Sequence, residues 1–257
     1  MSKPRALDLF CCAGGATRGL QEAGFHVTGV DIAPQKHYCG DEFHQADALE
    51  FPTDEYDFIW ASPPCQAFTA LRFMPTAKPH PNLIPETRAR LVAQRAPYCI
   101  ENVEGAPLGD SGYLIMLCGT MFGLQTADGR AELWRHRLFE TSFSIALRPA
   151  CQHGVDNRGR AVLGVMAGRM PKRHALSVTG TGMGPRVSKS RERSTITVTG
   201  STPQANQITN VLRETFTTEQ ARQAMGIDWM PMSKLSQAIP PAYARFIGEQ
   251  VMRIIRP

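Results

Sequence analysis

Asp57-Phe58-Ile59-Trp60-Ala61-Ser62-Pro63-Pro64-Cys65-Gln66 starts as an apolar run and ends on two prolines and a cysteine. Its first half reads as a buried strand. Pro63 and Pro64 fix two φ angles and remove two N–H donors, and Ser62 before them is pushed to an extended conformation. Cys65 therefore stands on a stiff turn at the carboxyl end of a strand, where open α/β sheets place their chemistry. By position alone it is equally a nucleophile or a half-buried structural thiol. The rest of the chain has to decide.

Upstream, Ala6 to Phe10 reads as the first strand, followed by the small-residue turn Cys11-Cys12-Ala13-Gly14-Gly15-Ala16 and a helical pattern from Thr17 to Ala23. Small residues between strand and helix let a ligand approach the backbone. Phe25 to Asp31 is a second strand with an acid at its carboxyl end, placed to accept hydrogen bonds from ribose hydroxyls. Asp47 follows another short segment. It suits an adenine amino group or, equally, a turn cap. Strand, turn, helix, strand, acid, strand, acid and then the Pro-Pro-Cys strand make a mainly parallel sheet with helices on both faces. With no extended Gly-rich loop bearing a phosphate-binding lysine, the ligand reads as a nucleoside.

Downstream, Phe68 to Pro85 is long and proline-rich, as functional loops are, and its Arg72, Lys78 and His80 suit phosphates. A helix is expected from Pro85 to Ala96. Tyr98 to Ile100 is a strand that delivers Glu101 to the same edge as Cys65. Further strand signals lie at Leu114–Phe122 and Arg135–Phe139. In the latter, Arg135 and Arg137 fall on one face and repel unless an anion or polar substrate sits between them. From 148 to 210 helical periodicity disappears and Gly, Ser, Thr and basic residues dominate, which reads as a small β-rich lobe. Leu176–Gly180 and Ile196–Gly200 are its short strands. Thr217 with Gln220 resembles an N-cap pair, and Gly226 can end that helix. A last helix is expected to start in Ser236–Ala242 and run to about Ile255.

Charge is unevenly spread. Arg130 to Arg193 holds thirteen Lys or Arg and four Asp or Glu, a local +9, while the remainder carries −4. A basic block in an otherwise acidic chain suggests a polyanion surface. Seven cysteines with no CxxC spacing favour free thiols and a reducing cytoplasm. Cys151-Gln152-His153 and His37-Tyr38-Cys39 offer metal ligands, but neither has a second matching pair, so no metal is expected. No apolar run approaches the roughly 18 residues of a membrane span, and the first residues lack a secretory pattern. The expectation is a cytoplasmic monomer without membrane contact, from a bacterium or a phage.

The motifs, taken together, resemble the DNA (cytosine-5) methyltransferases along nearly the whole chain. Asp8-Leu9-Phe10 through Gly14-Gly15 is similar to the family's first motif, Pro63-Pro64-Cys65-Gln66 to its nucleophile motif and Glu101-Asn102-Val103 to its acid motif. Arg135-His136-Arg137 resembles the paired-arginine motif, Thr217 to Gly226 the motif after the recognition domain, and Ala238-Ile239-Pro240-Pro241 the last motif. Four positions depart. Cys12 stands where the family usually has glycine, Ser236-Gln237 where it has Gly-Asn, and Leu133 where it has glutamine.

The resemblance implies a Rossmann-like α/β sheet that uses S-adenosylmethionine, with residues 1–147 and 211–257 forming the catalytic domain and 148–210 a target-recognition lobe. Phe10, Cys12, Gly14, Gly15, Asp31, Ile32, Asp47, Ala48, Pro64, Gln237 and Ala238 would hold the donor. Cys65 would attack C6 of a cytosine flipped out of duplex DNA. Glu101, protonated in a dry pocket, would serve N3, and Arg137 with Arg135 the base oxygen. Gln66, Arg72, Lys78, Arg158, Arg160, Lys172 and Arg173 would meet the DNA. A transfer-RNA acceptor, or a silent DNA-binding protein of the same fold, remains the alternative.

Overall fold

The computed structural model describes residues 2–68, 80–129, 131–145, 147–151 and 217–256, plus the backbone of four two-residue strands between the last two stretches. The chain divides into two compact units. One comprises Met1–Met116, Arg137–Arg148 and Ala238–Pro257; the other comprises Leu117–His136 and Pro149–Gln237.

The first unit is built on a seven-stranded sheet. Its strands are β1 (Arg5–Leu9), β2 (His26–Asp31), β3 (Glu42–Gln45), β4 (Phe58–Ala61), β5 (Tyr98–Asn102), β6 (Tyr113–Leu117) and β8 (Arg137–Thr141), in the order β3-β2-β1-β4-β5-β8-β6. The first five are parallel, with Leu9 beside both Val30 and Ala61, and Ala61 beside Ile100. β8 runs antiparallel to β5, setting Phe139 opposite Glu101. The chain leaves β1 in one direction to reach β2 and β3, and the other half of the sheet runs from β4 to β5. The direction therefore reverses between β1 and β4, the switch point where such sheets bind ligands. Right-handed crossovers then place α1 (Gly15–Glu22) and α2 (Ile84–Val92) on opposite faces.

Both faces are filled, which explains the unbroken apolar run in β4. Leu7, Leu9, Ile59, Ala61 and Ile100 form a buried cluster with Ile84 and Leu91 of α2. On the other side Phe139 packs edge-on against Trp60 and against Tyr243 of α5 (Pro241–Ile255), with ring centroids 5.7 and 6.1 Å apart. Helices α1 and α5 nearly touch: a Cβ on Gly19 would lie 2.1 Å from the Pro241 carbonyl oxygen. Ala244, Ile247, Gly248 and Val251 are buried along α5, as the helical spacing predicts. That helix begins at Pro241, inside the expected Ser236–Ala242 stretch, and ends at Ile255. Ser236 caps α4 (Met232–Leu235), and Pro240 biases Ile239 away from helix, so Pro241 takes the first-turn position that tolerates it.

The second unit holds β7 (Ala131–Leu133), which pairs in parallel with β9 (Ala175–Leu176) and β11 (Ser194–Thr195). β10 (Val178–Thr179) pairs with β12 (Val198–Thr199). The β7 pairings link the Leu117–His136 segment to strands of the Pro149–Gln237 segment within this unit. The expected Leu114–Phe122 strand stops at Leu117. Cys118 leads into a 3-10 turn over Gly119–Phe122, where a Cβ on Gly119 would sit 2.3 Å from the Leu133 carbonyl oxygen. Helix α3 (Thr218–Met225) is capped as its sequence predicts. Thr217 Oγ1 accepts from the Gln220 N–H at 3.1 Å, Gln220 Oε1 accepts from the Thr217 N–H at 3.0 Å, and Gly226 follows at φ 66°. Among the described residues no helix is long and apolar enough to cross a membrane.

Candidate active site

In the first unit the turns after β1 and β4 flank the switch point. The β4 turn is held from β5: Asn102 Nδ2 donates to the Pro63 carbonyl at 2.8 Å, and its Oδ1 takes the Val103 N–H at 2.9 Å. From below, Ser62 N–H donates to Leu9 O at 3.1 Å, and Trp60 Nε1 donates to Ser62 Oγ at 2.9 Å. Pro63 is buried and Pro64 half-buried, so two prolines and three fixed contacts set the direction in which Cys65 leaves the sheet. Cys65 is half-buried and outside any disulfide; the exposed Gln66 opens a 3-10 turn to Phe68. Asn102 belongs to the acid motif, but its clamp on Pro63 spans two strands and was not legible as such.

Glu101 is the penultimate residue of β5, one strand away, and is buried. Arg137 opens β8, and the antiparallel register makes it a diagonal neighbour of Glu101. Its Nε lies 3.2 Å from Glu101 Oε1. Arg135 was expected on the same strand face, but β8 starts only at Arg137. Arg135 belongs to the second unit, is buried, and donates from its Nη2 to the Ser236 carbonyl at 3.0 Å.

The β1 turn is unusual in backbone. Phe10 (φ 60°), Cys12 (φ 48°) and Gly14 (φ 85°) all take left-handed conformations. The Cys12 position is thus one where glycine would sit without a Cβ penalty. Its N–H donates to Asp31 Oδ2 at 3.0 Å, and the Ala33 N–H donates to Oδ1 at 2.9 Å, fixing the acid at the end of β2. Beside it the Ile32 side chain is 73 % exposed, an apolar plate next to a fixed carboxylate. Asp47 is exposed and caps a turn, accepting the Leu49 N–H at 2.8 Å on Oδ1; Ala48 after it is buried. A Cβ on Gly15 would lie 2.4 Å from the Ile239 carbonyl oxygen and 3.3 Å from the Ala238 methyl, so Gly15 admits the chain before α5. Gln237 is exposed in the second unit.

Under this turn lies a polar group that the sequence did not announce. Asp8 is buried in β1, with Thr17 Oγ1 donating to its Oδ2 at 2.5 Å and Tyr38 OH 3.3 Å from the same hydroxyl. Its Oδ1 is buried without a hydrogen-bond partner. Burial pushes the carboxyl up to about 7 against the opposing pull of the Thr17 hydrogen bond. Arg72 and Lys78, and likewise Arg158, Arg160, Lys172 and Arg173, lie outside the described residues, as does most of the Phe68–Pro85 segment.

No protein-family model matches the sequence, and no curated protein does. Solved structures do. The S. pombe Dnmt2 methyltransferase superposes at a TM-score of 0.56 with 13% identity, covering 99% of this chain and 100% of that one. A putative DNA modification methyltransferase encoded within an E. coli prophage gives 0.55 at 14% identity, with 99% and 100% coverage. The Entamoeba histolytica methyltransferase EhMeth gives 0.55 at 12%, covering both chains fully. At these identities the likeness shows the fold alone: an α/β fold shared with these methyltransferases, as the sequence motifs led one to expect.

Proposed function

We propose that the chain transfers a methyl group from S-adenosylmethionine to C5 of a cytosine in duplex DNA, with Cys65 as the covalent nucleophile. The observation that carries this reading is the convergence of Cys65 and the Glu101–Arg137 pair at one edge of the sheet, beside the switch point. C5 of cytosine is a poor nucleophile. When the Cys65 thiolate adds to C6, the ring becomes enamine-like and C5 can accept an alkyl group. The added electron density needs a proton or hydrogen bond at N3, and Glu101 stands in the right class and place to supply it. The ion pair with Arg137 opposes protonation of Glu101. A base that engages Arg137 through its O2 would loosen that pair and let burial favour the acid form. After transfer a water takes the C5 proton, the electrons of that bond restore the C5–C6 double bond as the C6–S bond breaks, the thiolate is released, and N3 returns its proton to Glu101.

Three features support a nucleoside-bearing donor at the β1–β2 end: a carboxylate fixed by two backbone N–H groups, an exposed apolar Ile32 next to it, and a left-handed turn at the head of α1. When bound, S-adenosylmethionine supplies an electrophilic methyl on a sulfonium. Asp31 would hold ribose hydroxyls, Ile32 and Phe10 the flat face of the adenine, and Asp47 its amino group through the oxygen not engaged by Leu49. The base must leave the stack to reach Cys65, and the basic Arg130–Arg193 block would grip phosphates, so binding should weaken as salt rises.

Duplex oligonucleotides with fluorine at C5 test the reading directly. With donor present, the wild type should form an adduct that survives denaturation, and Cys65→Ala should form none. No adduct on any cytosine-containing polymer would sink the nucleophile assignment. Methyl incorporation into transfer RNA but not duplex DNA would keep the chemistry and replace the acceptor, which the basic block alone does not choose.

A further inference from the structure

Within the second unit, and apart from the proposed chemistry, three soft ligands meet. Cys118 follows β6, His136 precedes β8 in sequence, and Cys151 lies just beyond Arg148. One ligand atom from each falls within 4.8 Å of the other two. Cys118 and His136 are buried and Cys151 is half-buried, so this is not a chance surface cluster. We propose that Cys118, His136 and Cys151 together bind a zinc ion.

The geometry fits that ion. A tetrahedral centre with Zn–S near 2.3 Å and Zn–N near 2.0 Å sets sulfur and nitrogen roughly 3.6 Å apart. Cys151 Sγ and His136 Nε2 are 3.5 Å apart. Two thiols and an imidazole are soft and borderline donors, a set that selects zinc over magnesium or calcium. The surroundings suit thiolates. The Thr120 hydroxyl lies 3.5 Å from Cys118 Sγ and 3.7 Å from Cys151 Sγ, and Cys118 Sγ accepts from the Met121 N–H in the turn that follows it. Such outer donors orient and stabilise metal-bound sulfur. Three protein ligands leave the fourth position to water or another donor. The Cys151-Gln152-His153 run hinted at metal chemistry, but its partners here are distant in sequence, so spacing rules could not find them.

The test uses the full chain. Protein purified without chelator should carry one zinc per molecule, and reconstitution of stripped, reduced protein should release two thiol protons per ion. Cobalt substitution should give sulfur-to-cobalt charge-transfer absorption in the near ultraviolet. Cys151→Ser and Cys118→Ser should each weaken cobalt binding by more than the roughly 10–100-fold typical of losing an outer-shell partner. Cys39→Ser, in the other candidate run, should leave the spectrum unchanged. Because the wild-type spectrum needs no variant, a misfolded mutant does not blunt the test. Reduced wild type without zinc and without the cobalt band overturns the proposal. So does a Cys118–Cys151 disulfide as the resting state, or a band that follows Cys39.

Discussion

Two carboxylate–guanidinium pairs lie back to back on the β5–β8 ladder, and they are built differently. Glu140 stands opposite Ile100 and therefore faces the α2 side. Its Oε1 accepts from Arg88 Nε at 2.9 Å and Ser111 Oγ at 2.6 Å, and its Oε2 from Arg88 Nη2 at 2.9 Å and the Gly109 N–H. Four donors fill the roughly four acceptor sites of a carboxylate, leaving no capacity for a ligand. Glu101, one residue on from Ile100, points to the other face and meets Arg137 at the strand end. The turn after β1 carries left-handed Phe10 and Cys12, and β1 below it a buried Asp8 oxygen without a partner. Backbone strain gathers where the donor is proposed to bind, whereas the Glu140 carboxylate that fastens α2 to the sheet is fully satisfied.

The contrast is sharpest in a pair of isosteric changes. Glu101→Gln keeps shape but cannot present a protonated acid, so methyl transfer should fall on the order of 10²–10⁴-fold with little change in melting temperature. Wild-type rates would remove Glu101 from the mechanism. Glu140→Gln should do the opposite. Among the described residues it leaves Arg88, whose side chain is 13% exposed, with only the exposed Asp110 at 3.3 Å as a counter-charge. Removing one partner of a buried pair costs about 3 kcal/mol or more, read by denaturant unfolding, while the folded fraction keeps its specific activity. The same variant tests a pH dependence. Burial pushes the Glu140 carboxyl up, but Arg88, Ser111 and Gly109 outweigh this and hold it below the usual range. Its stabilisation is present above the unfolded value of 4.5 and disappears as pH falls through the lower folded value. In Glu140→Gln that acid limb should be shallower; an unaltered limb would place the acid sensitivity elsewhere.

Much of this edge was legible because it is local. Pro63-Pro64-Cys65 stiffens itself, the apolar run of β4 shows that both faces are covered, and the Thr217–Gln220 pair with Gly226 writes the ends of α3 within one helix length. What was not legible depends on residues far apart in the chain. Arg88 and Glu140 are 52 positions apart, and nothing in either segment names the other. The same holds for Asn102 on Pro63 and for the convergence of Cys118, His136 and Cys151. The start of β8 at Arg137 follows from its pairing with β5, which overrides the alternation that placed Arg135 on the same strand.

Asp8 provides a smaller effect of opposite sign to Glu140. Its folded carboxyl is pushed up to about 7 from 3.8, so the folded chain holds a proton that the unfolded chain has released. Stability from this group is complete below 3.8 and is lost as pH rises towards 7. Asp8→Asn keeps an acceptor for Thr17 and removes the buried charge. At pH 8 it should be more stable than wild type by roughly 1 kcal/mol or more, with the difference vanishing in acid. Equal stability of the two proteins from pH 4 to 8 would contradict the raised value.

Cys12→Gly should have the smallest effect. At φ 48° a Cβ carries a steric cost that glycine avoids, while glycine adds freedom to the unfolded chain. The two terms oppose each other and leave a net stability change within about 1 kcal/mol. The useful readout is therefore donor affinity, because the Cys12 N–H is one of the two groups that hold Asp31. If strain at this turn is kept for positioning that carboxylate, glycine should bind S-adenosylmethionine at least as well as cysteine does, since the backbone hydrogen bond survives and the left-handed turn is easier to hold. Weaker donor binding by the glycine variant, measured calorimetrically at unchanged stability, would instead assign the Cys12 side chain a direct role in the pocket and place the thiol among the groups that touch the donor.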